Sequence, residues 1–173
     1  MSKRTIVLSL IAVIFLSPGF ASNQSRVAAQ ENPVEGQYAS INGLQMYYEI
    51  HGEADPEGVP LVLLHGGLGG IVEFSQLLPL LVENHQVIAV ELQGHGHTAD
   101  IDRPLSYELM ADDVAALIQS LGYEKADVAG YSLGGGVALR TAIQHPEVVH
   151  KLVLISTPFQ RKGIHDEFLA GMD

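Results

Sequence analysis

The chain has 173 residues, a formal net charge of −11, no cysteine and no tryptophan. This length allows one domain with a sizeable hydrophobic core. The negative charge disfavours a nucleic-acid partner, since a phosphate backbone would be repelled, and the lack of cysteine excludes disulfides, thiolate metal sites and a cysteine nucleophile.

The N-terminal residues follow the order of regions found in a secretory signal peptide. Lys3 and Arg4 precede an apolar run at 6–16, and a Ser-Pro-Gly break with small residues follows. The small residues predict cleavage after Ala21, giving a signal peptide over 1–21, with an alternative end at Ala29. The apolar run is too short to span a bilayer, which needs about 20 residues. We therefore expect export to the periplasm or the extracellular space, with no stable membrane anchor after cleavage.

Strand patterns begin after a polar segment at 22–36, which has no periodicity and predicts a linker. Residues 44–50 alternate apolar and polar side chains, as in a half-buried strand. Asn42-Gly43 before them is typical of a tight hairpin turn. The runs at 61–64, 87–90 and 152–155 are apolar on both faces, which is typical of strands inside a covered parallel sheet.

Helical patterns separate these strands. The clearest covers 105–121, where apolar residues share one face, Ser106 can cap the start and Gly122 closes the end. Asp112 and Asp113 within it point about 100° apart, so we assign both to a solvated face rather than to a carboxylate pair. Pro79 predicts a kinked or shortened helix at 74–82. The alternation of strand and helix predicts a doubly wound, mostly parallel α/β sheet, with the folded core over 37–159.

The rest of the chain is organised around the pentapeptide Gly130-Tyr131-Ser132-Leu133-Gly134. A serine becomes an effective nucleophile when it is exposed at a sharp strand-to-helix turn beside a base. Side chains two positions to either side would collide in that turn, and glycine at 130 and 134 removes them. The following helix would direct its first amides, including that of Leu133, at an oxyanion beside Ser132. Ser132 is therefore the candidate catalytic nucleophile.

Three motifs in order resemble the α/β-hydrolase fold family, in its serine-nucleophile branch. They are His-Gly-Gly-Leu-Gly at 65–69, Gly-His-Gly-His-Thr at 94–98 and the pentapeptide at 130–134, each after a predicted strand. The resemblance covers nearly all of 38–159. It implies that Ser132 is the nucleophile, that the backbone N–H groups of Gly67 and Leu133 form the oxyanion hole, and that His65 braces the loop without acting as the base. Serine in place of aspartate argues against the dehalogenase and epoxide-hydrolase branches.

The order of the catalytic triad limits what this sequence supplies. In the family the order is serine, acid, histidine, with the acid after the sixth or seventh strand. The acids that follow the sixth predicted strand are Asp166, Glu167 and Asp173, and no histidine follows any of them. His165 directly precedes Asp166, so the two would face different ways, and we do not assign them to a triad. We expect the N-terminal portion of the fold, truncated after the sixth strand, with 160–173 beginning a cap and the acid and base beyond residue 173.

The activity that the resemblance implies is that of a serine hydrolase. Its partner would be a small-molecule substrate with an ester or related carbonyl group, attacked through an acyl-enzyme at Ser132, with no cofactor. The 173-residue portion alone is expected to be inactive and to self-associate. The alternative is a non-catalytic α/β-hydrolase-like binding module or inactive fragment, although the intact glycines at 130 and 134 favour the enzyme. Acyltransferase and haloperoxidase chemistry share this framework, so the substrate and these reaction types stay open.

His95 and His97 allow a different interpretation, because His-x-His is a spacing found in metal sites. The residues after them do not complete a dimetal pattern, since Asp100 lies one place late and a further histidine is missing. A loop turning over the end of the sheet explains the pair better, and we predict no metal site. The other histidines are assigned to solvated or capping positions: His51, His85, His145, His150 and His165.

Overall fold

A computed structural model describes residues 34–55 and 58–158. These residues belong to the second of two units in the chain, Pro33–Asp173. The predicted signal peptide, most of the predicted linker and the predicted cap segment lie outside the described residues. Within the described residues, no helix has both the length and the apolar character needed to cross a membrane.

The described residues form one mixed sheet of six strands in the order β1-β2-β4-β3-β5-β6. The adjacent strands β4, β3, β5 and β6 run parallel to one another, whereas β2 pairs antiparallel with both β1 and β4. This confirms the predicted doubly wound, mostly parallel α/β fold. The strands are β1 Gln37–Ile41, β2 Leu44–His51, β3 Leu61–Leu64, β4 Val87–Val90, β5 Ala126–Tyr131 and β6 Val149–Ile155.

Helices cover both faces of this sheet. α2 Tyr107–Ser120 and α3 Leu133–Gln144 pack on one face, where the larger apolar cluster lies. A 3₁₀ turn, Ile71–Phe74, and the single-turn helix α1 Leu78–Leu81 contribute to the cluster on the other face. Burial on both faces explains why β3 and β4 consist only of apolar residues.

Local sequence signals position the ends of these elements as predicted. Asn42 and Gly43 have φ of 49° and 90°, the positive values that a tight hairpin between β1 and β2 requires. Ser106 Oγ accepts a hydrogen bond from the Leu109 amide at 3.2 Å and caps α2. Gly122 follows the end of α2 with φ of 86°. Pro79 lies in the first turn of α1, so the apolar segment at 74–82 forms a short helix only.

The prediction of a solvated face is wrong for Asp113. Its side chain is 1% exposed and forms an ion pair with Arg103, and it also accepts a hydrogen bond from Asn42 Nδ2 at 3.0 Å. The pairing compensates the burial of the charge. Asp112 does lie at the surface, where its carboxylate bonds His145 Nε2 at 2.7 Å. His51 is also less solvated than predicted, since its side chain is 15% exposed, and its Nε2 lies 2.8 Å from Glu49 Oε2.

Candidate active site

The three sequence motifs come together at one edge of the sheet. β4, β3 and β5 are parallel neighbours, so their carboxyl ends meet at this edge. The loop after β3 begins at His65, the loop after β4 begins at Glu91, and β5 ends at Tyr131, directly before Ser132. In open α/β sheets, ligands bind outside the carboxyl ends of the strands. We therefore place the candidate site here.

Ser132 occupies a strained turn between β5 and α3. Its φ of 49° and ψ of −110° lie in a region that non-glycine residues rarely adopt, at a cost of about 1–3 kcal/mol. A Cβ atom on Gly130 would lie 2.2 Å from the Gly134 carbonyl oxygen. A Cβ atom on Gly134 would lie 2.3 Å from the Leu64 carbonyl oxygen. The two glycines therefore allow the first turn of α3 to lie directly against β3 and β5, and a side chain at either position would push α3 away.

The backbone of Ser132 is fixed by hydrogen bonds on both sides. Its amide donates to the Ile155 carbonyl at 2.9 Å, and its carbonyl accepts from the Gly136 amide at 3.1 Å. In the described part of the chain, the hydroxyl has no hydrogen-bond partner, and no histidine pairs with it. These bonds fix the backbone of Ser132, while residues 34–55 and 58–158 supply no general base bonded to its hydroxyl.

The loop after β3 lies against the start of α3. The Gly134 amide donates to the His65 carbonyl at 3.0 Å. A Cβ atom on Gly67 would lie 3.7 Å from the Cβ atom of Leu133, so the two residues are neighbours. Across the described residues, neither the Gly67 nor the Leu133 amide donates to a protein acceptor. Both residues predicted for the oxyanion hole are therefore neighbours at the Ser132 turn, and their amides are not used by the described part of the protein.

His65 is fully buried at the start of this loop. Its Nε2 accepts a hydrogen bond from the Leu92 amide at 3.1 Å, and its Nδ1 lies 2.7 Å from the Gly66 carbonyl. Because an amide can only donate, Nε2 must be unprotonated and Nδ1 must carry the proton. Burial lowers the pKa of the ring, and the ring is neutral. Both nitrogens are therefore used by the backbone, which agrees with a bracing role for His65.

Two carboxylates contact the loops that follow β3 and β4, and the sequence reasoning missed both. Glu73 Oε2 accepts a hydrogen bond from the Gly66 amide at 2.9 Å. Glu91 is 5% exposed, accepts a hydrogen bond from the His97 amide and lies 3.0 Å from His97 Nδ1. Glu91 could have been noticed because it directly follows the buried strand β4. Glu73 is brought to Gly66 by the 3₁₀ turn, and no sequence pattern indicates this contact.

His95 and His97 take part in loop packing. His95 Nδ1 lies 2.9 Å from the Gln93 carbonyl. The His97 ring stacks on Tyr47 with centroids 4.3 Å apart. Among the residues that the structure describes, no group of three potential ligands could hold a metal ion. The pair therefore contributes to the loop over the sheet end.

Comparisons with known proteins agree with this architecture. The family model described as alpha/beta hydrolase fold matches residues 59–170. A soluble epoxide hydrolase of Corynebacterium sp. (strain C12) is 38% identical over 120 residues, or 68% of this chain and 40% of that protein. A putative esterase/lipase of Haemophilus influenzae is 30% identical over 125 residues, or 70% of this chain and 43% of that protein.

A solved structure supports the same relationship. The epoxide hydrolase CorEH, solved without ligand, matches with a TM-score of 0.67 and 35% identity over 72% of this chain and 42% of that one. The chain thus spans less than half the length of each of these three relatives. The family match covers well over half of the chain, and it covers the loop after β3, the loop after β4 and the turn at Ser132. The chain belongs to the α/β-hydrolase fold family.

Proposed function

We propose that this chain supplies the nucleophile and the oxyanion hole of a serine hydrolase that cleaves an ester or a related carbonyl substrate. Ser132 Oγ attacks the carbonyl carbon, and a general base takes the hydroxyl proton. The carbonyl oxygen becomes an oxyanion held by the amides of Gly67 and Leu133. Loss of the alcohol, protonated as it leaves, produces an acyl-enzyme that water then hydrolyses to the acid and free serine.

The backbone of Ser132 is the observation that carries this proposal. A φ of 49° at a serine is unfavourable, and close packing at Gly130 and Gly134 maintains it. An ordinary strand-to-helix connection would not need a strained serine between two glycines that cannot carry a side chain. The amides of Gly67 and Leu133 add the second element of the chemistry, because neither donates to an acceptor among the described residues and both can donate to an oxyanion.

The general base and its acid partner belong, in this proposal, to parts of the protein outside the described residues. No described histidine bonds the Ser132 hydroxyl, and His65 already gives both ring nitrogens to the backbone. The three relatives compared above are more than twice as long as the segment that matches them. Export through the N-terminal segment is proposed on the sequence pattern alone.

The names of the relatives do not select one reaction. They include an epoxide hydrolase and a putative esterase/lipase, which differ in the bond that is broken. The nucleophile is a better guide, since a serine hydroxyl and two amide donors suit attack on a carbonyl carbon. We therefore favour ester or related acyl chemistry over epoxide opening.

A fluorophosphonate probe and a 4-nitrophenyl ester test this proposal on the intact protein. Ser132→Ala should abolish labelling and lower ester turnover by at least about 10³-fold, because the loss of one oxyanion donor alone typically costs 10²–10³. Ser75→Ala is the matched control, since Ser75 is an exposed serine after the 3₁₀ turn, and it should label and turn over as the wild type does.

Two results would contradict the proposal. Labelling that persists in Ser132→Ala would mean that another residue is the nucleophile. A wild-type protein that neither labels nor turns over esters, but still binds apolar ligands, would favour the non-catalytic binding module.

A further inference from the structure

We propose that Glu73 is a specificity-determining residue, which places a negative charge beside the oxyanion hole and selects uncharged or cationic acyl groups over anionic ones. This inference rests on the proposed function of Ser132 and names the substrate class of that site. It begins from the hydrogen bond between Glu73 Oε2 and the Gly66 amide, at 2.9 Å.

The carboxylate of Glu73 lies against the backbone of the loop after β3. A Cβ atom on Gly69 would lie 2.1 Å from Glu73 Oε1, so the carboxylate occupies the space beside Gly69. A Cβ atom on Gly66 would lie 2.9 Å from the Tyr131 ring and 3.4 Å from Glu73 Oε2. Glu73 and Tyr131 therefore flank Gly66 together, and Tyr131 directly precedes the nucleophile.

Chain geometry limits the distance from this charge to the reacting atoms. The amide nitrogens of neighbouring residues are at most about 3.7 Å apart, and the Gly66 amide is 2.9 Å from the carboxylate. The Gly67 amide is therefore within about 7 Å of Glu73 Oε2. An oxyanion lies about 3 Å from its donor, which puts the carbonyl of a bound ester within about 10 Å of the carboxylate.

No cationic side chain offsets the charge of Glu73 in the described residues. Glu73 takes part in none of the ion pairs of the described residues, so no lysine, arginine or histidine there pairs with it. Arg103, Arg140 and Lys151 pair with carboxylates elsewhere. The buried carboxylate of Glu91 adds a second negative charge at the end of the same loop, where Oε1 lies 3.4 Å from the Ile71 amide. Both carboxylates act on His65, where they oppose the lowering of its pKa by burial.

The consequence for the substrate follows from Coulomb repulsion. A carboxylate on a short acyl group lies about 5 Å from the ester carbonyl, so it comes closest to the exposed Glu73 when the acyl chain points toward Gly66. At about 5–10 Å, two like charges repel measurably even near solvent. An uncharged acyl group meets no such repulsion, and a cationic group is attracted. Glutamine at this position can still accept the hydrogen bond from the Gly66 amide, so Glu73→Gln removes the charge and keeps the contact.

The test compares two esters on the intact protein: neutral 4-nitrophenyl butyrate and anionic mono-4-nitrophenyl succinate. The measured quantity is kcat/KM for the anionic ester divided by kcat/KM for the neutral ester, which cancels differences in the amount of folded enzyme. We expect Glu73→Gln to raise this ratio by about 1.5- to threefold, because water and salt weaken the field of an exposed carboxylate. Glu73→Lys should raise the ratio further. Added salt should raise the ratio of the wild type and change that of Glu73→Gln less.

Glu83→Gln is the matched control, since Glu83 is an exposed carboxylate that follows α1, and its ratio should equal that of the wild type. An unchanged ratio in both Glu73 variants would overturn the inference, and so would an equal rise in Glu83→Gln. These outcomes leave the proposed function standing if Ser132→Ala still abolishes labelling. Turnover that survives Ser132→Ala would refute the proposed function and, with it, this inference.

Discussion

A methyl group added at Gly134 should disrupt the turn that carries Ser132. The new Cβ atom would lie 2.3 Å from the Leu64 carbonyl oxygen and 2.5 Å from the His65 carbonyl oxygen. Carbon and carbonyl oxygen approach no closer than about 3.3 Å, so α3 would have to move away by about 1 Å. Both oxygens are backbone atoms of β3 and its following loop, and neither can rotate aside as a side chain could.

The expected cost is that of an overpacked core. Such insertions typically cost about 1–3 kcal/mol, and contact with two fixed carbonyls puts Gly134→Ala near about 3 kcal/mol. For a domain of this size, that loss lowers the melting temperature by about 6–12 °C. A displacement of about 1 Å at the proposed nucleophile can also cost about 10²-fold in rate. The rate of fluorophosphonate labelling of Ser132 should therefore fall by about that factor.

Gly122→Ala provides the control for this prediction. Gly122 also follows a helix and has φ of 86°, but an added Cβ atom would meet nothing within 4 Å. Its cost is the backbone strain alone, about 1 kcal/mol, and labelling of Ser132 should be unchanged. Thermal unfolding and labelling rates of both variants decide the matter. If Gly134→Ala melts and labels as the wild type does, then α3 does not pack on the β3 carbonyls as tightly as described.

Three further predictions concern burial and exposure outside the turn. Asp113→Ala should lower the free energy of unfolding by about 3–5 kcal/mol in urea denaturation, because it leaves Arg103 unpaired. Replacement of the exposed Asp102 by Asn should change the free energy of unfolding little, and equal effects of the two variants would refute the burial argument. The free energy of unfolding should fall as the pH drops below about 6.5, because His65 takes up a proton in the unfolded chain but not in the folded one, where burial lowers its pKa. A His65→Gln variant whose stability depends on pH in the same way would contradict this. Val153 on the edge strand β6 is 50% exposed, so Val153→Lys should reduce self-association of the 173-residue chain in size-exclusion chromatography. An unchanged elution profile would argue against association through β6.

Local signals explain why much of the fold could be predicted from the sequence. The turn at Asn42-Gly43 and the cap at Ser106 depend on residues a few positions apart, so both are visible in the sequence. The covered strands β3 and β4 were predictable because burial on two faces requires apolar residues throughout. The prediction of Ser132 likewise depended on a motif whose glycines lie two residues away.

Contacts through space explain what the sequence could not show. Asp113 is buried because Asn42 and Arg103, 71 and 10 residues away in sequence, reach its carboxylate. Helical periodicity cannot detect such partners, and two adjacent aspartates in a helix are normally interpreted as part of its solvated face. The contact of Glu73 with Gly66 depends on a 3₁₀ turn that returns the chain to the loop after β3. No spacing rule connects a glutamate to an amide seven residues before it.

Acylation of Ser132 tests the central claim most directly. The intact protein is mixed with 4-nitrophenyl butyrate, quenched in acid within the first turnovers, digested and analysed by mass spectrometry. The account predicts a butyryl group on the peptide that contains Ser132, and none in Ser132→Ala. Ester turnover with no acyl group on any peptide, or with the acyl group on a different residue, would contradict it.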